Sequence, residues 1–208
     1  MTSAHESLVI LLHGVGSSGA NLDPLGEALQ SFLPGARLVS PDAPYPYDGG
    51  GAGRQWFSVV GVSDGNRARR IVEARDGFDR VVAREIERAG FEGRLDRVAL
   101  FGFSQGAILS LDALVDGRWP VAAVVAASGR LATPIGPRPA STTPVLIVHG
   151  ELDEVIPAAE AERAKRLLEG AGFAVETHVY PGLGHGVSAE GFEAAGAFLA
   201  ARLTPSAS

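Results

Sequence analysis

The sequence predicts an α/β fold in which a doubly wound, mostly parallel sheet of about six to seven strands carries helices on both faces. Short apolar runs alternate along the chain with longer segments of helical periodicity, which is the pattern of successive β and α units. Several of these runs are apolar without alternation, as is typical of strands covered on both sides. The 208 residues fit one domain, residues 1–208, with a core from about residue 8 to residue 203.

The alternation predicts six strands and five helices. The predicted strands are Leu8–Leu12, Ala36–Val39, Arg97–Phe101, Val121–Ala127, Pro144–His149 and Val175–Tyr180. The predicted helices are Leu22–Phe32, Asn66–Ala89, Gln105–Val115, Pro157–Ala171 and Ala189–Arg202. In the longest helix the apolar residues fall near one face, so its many charged residues are interpreted as a solvent-exposed face.

Composition excludes several classes of protein. A net charge of −6 provides no basic field to attract phosphates, so nucleic acid is not an expected partner. The chain has no cysteine, which excludes disulfides, thiolate metal sites and cysteine nucleophiles. The first apolar run, Leu8–Leu12, is too short for a signal-peptide core or a membrane span. We therefore expect a cytoplasmic protein without a membrane span.

Two long segments have neither helical nor strand periodicity. Pro41–Gly53 and Leu131–Thr143 are rich in turn-forming residues, and each follows a predicted strand. Long loops in a small domain are often functional, and loops at the carboxyl ends of parallel strands form the binding crevice. Both segments are therefore candidate pocket walls.

The segment Gly102-Phe103-Ser104-Gln105-Gly106 has the form G-x-S-x-G. It follows an apolar run and precedes a predicted helix, which is the setting of a strained turn that exposes a serine hydroxyl above a sheet. The two glycines allow neighbouring backbone to approach closely. Ser104 is therefore the predicted nucleophile, the alternative being a serine that only serves the turn.

A serine nucleophile needs a base within hydrogen-bond reach, usually a histidine. Of the five histidines, only His185 lies in an open glycine-rich loop after the last predicted strand. This position allows its imidazole to reach the carboxyl edge of the sheet, so His185 is the predicted base. The other four are interpreted as terminal, strand-end or strand residues: His5, His13, His149 and His178.

The imidazole in turn needs a carboxylate that fixes its tautomer. Asp153 follows a buried strand and is favoured over Glu151 and Glu154, which are interpreted as solvent-exposed. Asp112 lies on the helix after Ser104 and is judged too close to it in the fold. The resulting chain order of serine, aspartate and histidine is the order expected of an α/β-hydrolase.

An oxyanion hole should combine the backbone N–H after the nucleophile with one from the loop after an early strand. The first is Gln105, and the second is assigned to Val15 in the segment His13-Gly14-Val15-Gly16, with Gly14 as the near alternative. A simple glycine turn is the competing interpretation of this segment.

Four motifs, taken together, point to a known family: Leu12–Gly16, Gly102–Ala107, His149-Gly150 with Asp153 and Pro157, and Gly184-His185. With them the chain resembles the phospholipase/carboxylesterase family, which includes the acyl-protein thioesterases, over about residues 8–203. The segment Gly53–Ser58, followed by Asn66-Arg67, is similar to small bacterial esterases of this family. The resemblance implies hydrolysis of carboxylic esters or thioesters with short-to-medium acyl groups, with no cofactor and no metal.

The chain departs from this family at two points. Ser17 follows the His-Gly-x-Gly segment where acyl-protein thioesterases usually carry aspartate, which argues against removal of acyl groups from proteins. The N-terminal segment is also short, so the leading strand or hairpin of the family is expected to be reduced or absent. An exposed sheet edge could then be covered by a second copy, and both monomer and homodimer remain open.

Several apolar residues are candidate walls of a substrate pocket. They are Val15, Trp56, Phe57, Phe103, Ile156 and Leu183. The alternative for the two aromatics at positions 56 and 57 is that they pack the long loop onto the core. Arg54 could orient a substrate carboxylate, although such an arginine more often holds its own loop.

These observations predict a serine carboxylesterase that acts on a small-molecule ester or thioester through an acyl-enzyme. A thioesterase or lysophospholipase is the alternative, and it would need a longer apolar groove. A hydrolase-like binding protein without turnover and a serine peptidase are less favoured, the second because no cap or propeller domain is evident.

Overall fold

The computed structural model describes residues 5–140 and 142–203. Its strands are β1 (Ser7–Leu12), β2 (Ala36–Val39), β3 (Tyr45–Pro46), β4 (Arg54–Gln55), β5 (Val98–Phe103), β6 (Ala123–Ala127), β7 (Val145–Gly150) and β8 (Val175–Tyr180). Its α-helices are α1 (Asp23–Leu29), α2 (Asp64–Ala89), α3 (Gln105–Val115), α4 (Ala159–Gly170) and α5 (Ala189–Leu203). Short 3-10 turns precede α1 and β5, at Gly19–Leu22 and Leu95–Arg97.

Six of these strands form one sheet in the order β2-β1-β5-β6-β7-β8, and its neighbouring strands all run parallel. The first four strands of the sheet in chain order add outward from β1 in both directions, which is the doubly wound arrangement that the sequence predicts. The centre of the sheet, where β1, β5 and β6 meet, is buried on both faces.

Helices cover both faces of the sheet, as predicted. Alternate residues of β1 separate the two cores: Leu8 and Ile10 face α2, α3 and α4, whereas Val9 and Leu11 face α1 and α5. The period of two residues follows from the strand geometry. A strand that is apolar at every position is therefore needed to fill both cores, and this is the pattern that predicted a parallel sheet.

The segment Pro41–Gly53, predicted as an irregular loop, contains a structural element that the sequence did not reveal. Its residues Tyr45–Pro46 form β3, which pairs antiparallel with β4. The Tyr47 N–H donates to the carbonyl of Gly53 at 2.9 Å and holds the turn between the two strands. Strands of two residues are too short to show periodicity, so only contacts with the rest of the fold define them.

Element ends differ from the predictions by up to three residues. α2 begins at Asp64 instead of Asn66, because Ser63 and Asn66 form a capping box there. α1 ends at Leu29 instead of Phe32, and the side chain of Gln30 then donates to the carbonyl of Leu33 at 2.9 Å. β5 extends two residues beyond the predicted Phe101, so that it ends directly before Ser104.

A buried ion-pair network joins α2 to α3. Asp112 is 1% exposed and accepts two hydrogen bonds from Arg75, at 2.9 and 3.0 Å, and one from Thr133 at 2.7 Å. Arg118 also donates to Asp112. The carboxylate of Asp112 is therefore fully occupied by structural partners, which agrees with its exclusion as the acid of the site.

No helix within residues 5–140 and 142–203 is long and apolar enough to cross a membrane.

Candidate active site

Ser104 lies in a strained turn between β5 and α3. Its φ of 52° and ψ of −113° fall outside the regions that L-residues favour. The turn is held by the Ser104 N–H, which donates to the carbonyl of Ala127 at the end of β6 at 2.9 Å. The glycines on either side are required, because a Cβ on Gly106 would lie 2.1 Å from the carbonyl oxygen of Leu12 and one on Gly102 only 2.4 Å from the nitrogen of Ala107.

The structure brings together the three residues that the sequence predicts for catalysis. The Oγ of Ser104 lies 3.0 Å from Nε2 of His185, and Nδ1 of His185 lies 2.8 Å from Oδ2 of Asp153. The carboxylate can only accept, so it selects the tautomer in which Nδ1 carries the proton and Nε2 is free to accept from the serine hydroxyl. This arrangement is a continuous path of hydrogen bonds from a hydroxyl to a buried carboxylate.

Asp153 is held in its ionised form by the chain around it. Its side chain is fully buried, and burial alone would raise the pKa of the carboxyl group. The N–H groups of Ile156 and Val155, at 2.8 and 2.9 Å from Oδ1, together with His185, outweigh burial and lower the pKa below its ordinary value. The charge that would stabilise an imidazolium is therefore maintained despite the apolar surroundings.

A second histidine contacts the same carboxylate. His149 is fully buried at the end of β7, and its Nε2 lies 2.8 Å from the carbonyl oxygen of Ile156 and 3.2 Å from Oδ2 of Asp153. Its Nδ1 has no hydrogen-bond partner among the described residues. His149 has no role among the sequence-based predictions, although its position four residues before Asp153 is a usable signal.

The loop of His185 is fixed from two sides. A Cβ on Gly150 would lie 2.1 Å from the carbonyl oxygen of Gly184, so β7 and this loop are in close contact. On the other side, Ser128 donates from Oγ to the carbonyl of Gly186 at 3.0 Å. Ser128 itself has a φ of 48°, a second strained residue at the carboxyl edge of the sheet. The sequence analysis did not identify it.

The His13–Gly16 loop lies directly beside Ser104. A Cβ on Gly14 would be 3.2 Å from the Cβ of Ser104, so the loop backbone passes within contact distance. The backbone N–H groups of Val15 and Gln105, the two predicted oxyanion donors, do not donate to any residue that the structure describes. Neither N–H group is therefore engaged by the described part of the fold.

The imidazole of His13 supports this loop. Nδ1 lies 2.7 Å from the carbonyl oxygen of Gly14, and Nε2 accepts the N–H of Ala43 at 3.0 Å. Burial is the largest influence on this group and lowers the pKa of His13, which favours the neutral ring. Only the neutral ring can accept from Ala43, so the hydrogen bonds and the burial favour the same protonation state.

Gln105 has a structural role besides its backbone. Its side-chain Oε1 accepts the N–H of Trp56 at 3.0 Å, and its Nε2 donates to the carbonyl of Phe57 at 2.8 Å. The side-chain amide of Gln105 thus binds the backbone of Trp56 and Phe57 with one acceptor and one donor, as the backbone of a neighbouring β-strand would. This explains physically why a glutamine suits the position after the nucleophile.

The predicted pocket residues fall into two groups. Trp56, Phe57 and Ile156 belong to the main core, and Trp56 is fully buried, packs edge-on against Phe78 and donates from its indole nitrogen to the carbonyl of His13 at 2.8 Å. The structure thus favours the alternative in which this tryptophan packs its loop onto the core. Phe103 and Leu183 are partly exposed beside the catalytic residues, and the ring centres of Phe103 and His185 are 5.1 Å apart.

Trp56 and Phe57 also line a cavity of about 540 Å³ beside the β3–β4 hairpin. Its walls are formed by Tyr45–Asp48, Gln55–Ser58 and part of α2, and they do not include Ser104, Asp153 or His185.

Arg54 does not face the site as a free cation. Its Nε donates to the carbonyl of Ala43 at 3.0 Å, and another guanidinium nitrogen donates to Pro44 at 2.7 Å. It holds its own loop, which is the alternative that the sequence analysis favoured. Among the described residues there is also no group of three or more His, Asp or Glu side chains placed to bind a metal.

The parallel sheet, the strained serine directly after β5 and the loops around it define the class of the α/β-hydrolases. Solved structures agree. The crystal structure of esterase PE8 is 32% identical in sequence, covers 96% of this chain and 94% of that one, and superimposes with a TM-score of 0.86. The structure of SOBER1 from Arabidopsis thaliana is 27% identical over 95% of this chain and 99% of its own, with a TM-score of 0.78.

Sequence comparison defines the family. Residues 1–203 match the family model described as Phospholipase/Carboxylesterase. Esterase YpfH of Escherichia coli (strain K12) is 34% identical over 88% of this chain and 77% of its own length. Acyl-protein thioesterase 1 of Neurospora crassa is 26% identical over 96% of this chain and 88% of its own. The chain belongs to the phospholipase/carboxylesterase family and is by class a carboxylic ester hydrolase, as the motifs predicted.

Proposed function

We propose that this protein is a serine carboxylesterase that hydrolyses esters with short-to-medium acyl groups through an acyl-enzyme. The observation that carries the proposal is the hydrogen-bonded sequence of Ser104, His185 and Asp153, with distances of 3.0 and 2.8 Å. The strained turn of Ser104 supports it, because the turn directs the hydroxyl out of the sheet.

In the acylation step, Ser104 Oγ attacks the ester carbonyl carbon while Nε2 of His185 takes its proton. The imidazolium so formed is stabilised by ionised Asp153, which does not itself take the proton. The oxyanion receives hydrogen bonds from the backbone N–H groups of Val15 and Gln105. The tetrahedral intermediate then collapses, the C–O bond to the leaving group breaks, and His185 returns its proton to the departing alkoxide.

In the deacylation step, water replaces the serine as the nucleophile. His185 accepts a proton from the water as its oxygen attacks the acyl carbon, and the same oxyanion donors act again. Collapse releases the carboxylic acid and returns the proton to Ser104. Both half-reactions use the same residues, so loss of any one of them slows the whole cycle.

Thioester hydrolysis is the second candidate, favoured by the relatives named acyl-protein thioesterase. Ser17, where those thioesterases usually have aspartate, favours the small-ester assignment. Rates across an acyl-length series, measured with oxygen esters and with matched thioesters, separate the two. A preference for long acyl thioesters would support the second candidate.

The direct test is the Ser104→Ala variant with p-nitrophenyl acetate and butyrate. We expect kcat/KM to fall by a factor of at least about 10⁴, because the nucleophile is lost while the fold remains. Ser31→Ala is a suitable control, since Ser31 lies on the surface at the end of α1. Unchanged hydrolysis by Ser104→Ala would contradict the proposal.

We also propose that residues 1–208 form one domain. The cytoplasmic location and the choice between monomer and homodimer stay predictions from the sequence.

A further inference from the structure

Arg130 is a half-buried cation close to the active site that the catalytic mechanism does not use. Its two neighbouring arginines are both engaged: Arg67 pairs with Asp64, and Arg163 pairs with Glu160 and donates to the carbonyl of Leu131 at 2.8 Å. Arg130 itself has no ion pair and no hydrogen bond with any residue in the described ranges. A guanidinium has five N–H donors, and those that burial removes from water have no replacement among the described residues.

Arg130 lines a cavity of about 220 Å³. The walls are the segment Arg130–Ala132, Asp64 and Arg67 in the first turns of α2, and Glu160 and Arg163 in the first turns of α4. Three arginines and two carboxylates leave one net positive charge there, in a chain whose net charge is −6. The amino-terminal ends of two helices at the same cavity add to the attraction for an anion.

Burial, together with the nearby charge of Arg67, lowers the pKa of the Arg130 guanidinium below its ordinary value, and the carboxylates of Glu160 and Asp64 act in the opposite direction. These carboxylates therefore compensate the charge of Arg130 only from a distance. An anion bound directly to the guanidinium would complete the compensation.

The walls of this cavity do not include Ser104, Asp153 or His185, but Arg130 follows the segment Ala127–Gly129, which contacts both Ser104 and the loop of His185. The Ser104 N–H donates to the carbonyl of Ala127 at 2.9 Å, and Arg130 is three residues further on, so the Cα atoms of Ala127 and Arg130 are at most about 11 Å apart. Between them, Ser128 contacts Gly186 in the loop of His185. Gly129 passes so close to α3 that a Cβ there would lie 2.5 Å from the Cβ of Ala107. Ser104 and Arg130 therefore lie on adjoining segments at the same edge of the sheet, and only an extended ester with its carboxylate remote from the scissile bond would contact both.

The charges of the residues that line this cavity favour one kind of anion. A guanidinium presents its donors as a planar fork that matches a carboxylate. A single negative charge equals the net positive charge of the cavity and would neutralise it, whereas a phosphate dianion would leave an excess negative charge there. The cavity is therefore suited to a carboxylate.

We propose that Arg130 forms a carboxylate-binding subsite, so that the enzyme prefers esters that carry a second, ionised carboxyl group remote from the scissile bond. This inference rests on the proposed esterase function. It assigns to Arg130 the role that the sequence analysis considered for Arg54, which the structure shows to be occupied by its own loop.

The test compares neutral and anionic substrates with the same leaving group. The neutral substrates are p-nitrophenyl butyrate and hexanoate, and the anionic ones are the mono-p-nitrophenyl esters of glutaric, adipic, suberic and sebacic acids. A second arm places the carboxylate on the leaving group, as in the butyryl ester of p-hydroxybenzoate. If wild type prefers the anionic substrate in only one of the two series, that series shows whether Arg130 binds the acyl group or the leaving group of the ester.

Three variants resolve the role of the charge. Arg130→Gln should raise KM for the preferred anionic ester about tenfold or more and leave the neutral esters within about twofold, since a charge-assisted hydrogen bond is lost only for the anion. Arg130→Lys should restore part of the preference. Glu160→Gln should lower KM for the anionic ester, because it removes a repelling charge. Arg202→Gln, at an exposed arginine that pairs with Glu176 on the surface, is the matched control.

Equal effects of Arg130→Gln on neutral and anionic esters, or an absence of any anionic preference in wild type, would overturn the subsite. Failure of the proposed esterase function is distinguishable, because wild type would then hydrolyse no neutral ester either. Calorimetric titration of Ser104→Ala with monomethyl adipate tests the subsite without turnover. Binding that disappears in the Ser104→Ala, Arg130→Gln double variant supports it, and binding that is absent or unchanged contradicts it.

Discussion

Four nitrogen atoms surround the carboxylate of Asp153. The backbone N–H groups of Val155 and Ile156 satisfy Oδ1, while His185 and His149 lie 2.8 and 3.2 Å from Oδ2. The orientation of this carboxylate determines where the imidazole of His185 points. We therefore regard His149 as a positioning residue that acts on His185 through Asp153.

Replacing His149 with leucine should lower kcat about tenfold or more, because the lost N–H donor leaves Asp153 and the carbonyl of Ile156 less well satisfied. His149→Gln keeps a donor at nearly the same position and should stay closer to wild type. With one donor fewer, Asp153 would attract the proton of the imidazolium more strongly. The acid limb of the pH–rate profile should then move to higher pH in His149→Leu.

A purely structural role for His149 predicts a different outcome. In that case His149→Leu and His149→Gln would lose thermal stability to similar degrees, and the pH profile of the remaining activity would not move. Rates measured over a range of pH, together with unfolding curves of both variants, separate the two roles.

The grouping of Ser104, Asp153 and His185 can be predicted from the sequence, because each residue follows a predicted strand and so lies at the same edge of a parallel sheet. The contact of His149 with Asp153 and the contact of Ser128 with Gly186 are not predictable in this way. Those contacts depend on how the loops after β6, β7 and β8 are packed together, and a residue type alone does not indicate them. The unpartnered state of Arg130 is likewise a property of packing.

At the scale of elements, the turn from β5 to α3 depends on close backbone contact. Gly106 lies at the start of α3 against the end of β1, where an added Cβ would meet the carbonyl oxygen of Leu12 at 2.1 Å. Side chains of ordinary size at this position would push the helix away from the sheet and disturb the serine.

Gly106→Ala should therefore lower the free energy of unfolding by roughly 2 kcal/mol or more, as expected for overpacking against backbone. Gly170→Ala is the matched control, since no atom lies within 4 Å of the added Cβ at the end of α4. It should be neutral or stabilise the protein by up to about 1 kcal/mol. Urea unfolding of both variants measures the difference, and equal stabilities would show that the contact at Gly106 is readily relieved.

The sequence predicted each long element, because the six strands of the sheet are short apolar runs and the five helices are the longer segments between them. The predicted elements differ from the structure where the sequence pattern is short or where two patterns compete. The β3–β4 hairpin has only two residues in each strand, and the start of α2 is set by the capping box at Ser63 in a segment that contains Gly65. Contacts outside these segments decide their structure.

At the scale of the whole molecule, the network around Asp112 connects three parts of the chain. It links Arg75 of α2 with Asp112 of α3, with Arg118 after that helix and with Thr133 in the segment predicted as a pocket wall. The same segment carries Leu131, next to Arg130. The network therefore fixes the support on which the proposed carboxylate subsite is built.

Asp112→Asn should lower the free energy of unfolding by about 3 kcal/mol, because it leaves two partly buried arginines without their shared carboxylate. Glu176→Gln, which breaks an exposed ion pair with Arg202, should cost less than about 1 kcal/mol. Chemical denaturation of the two variants provides the comparison. A loss for Asp112→Asn no larger than that of the surface variant would contradict a central role for the network.

The proposed acyl-enzyme mechanism requires that Ser104 attack the acyl carbon of the ester. Brief reaction with a fluorophosphonate probe, followed by proteolysis and mass spectrometry, tests it most directly because the probe forms a stable bond with an activated serine. We predict a single adduct on the peptide containing Ser104, greatly slowed in His185→Ala and absent in Ser104→Ala. An adduct on a different serine, or no adduct in a protein that still hydrolyses p-nitrophenyl butyrate, would contradict the account.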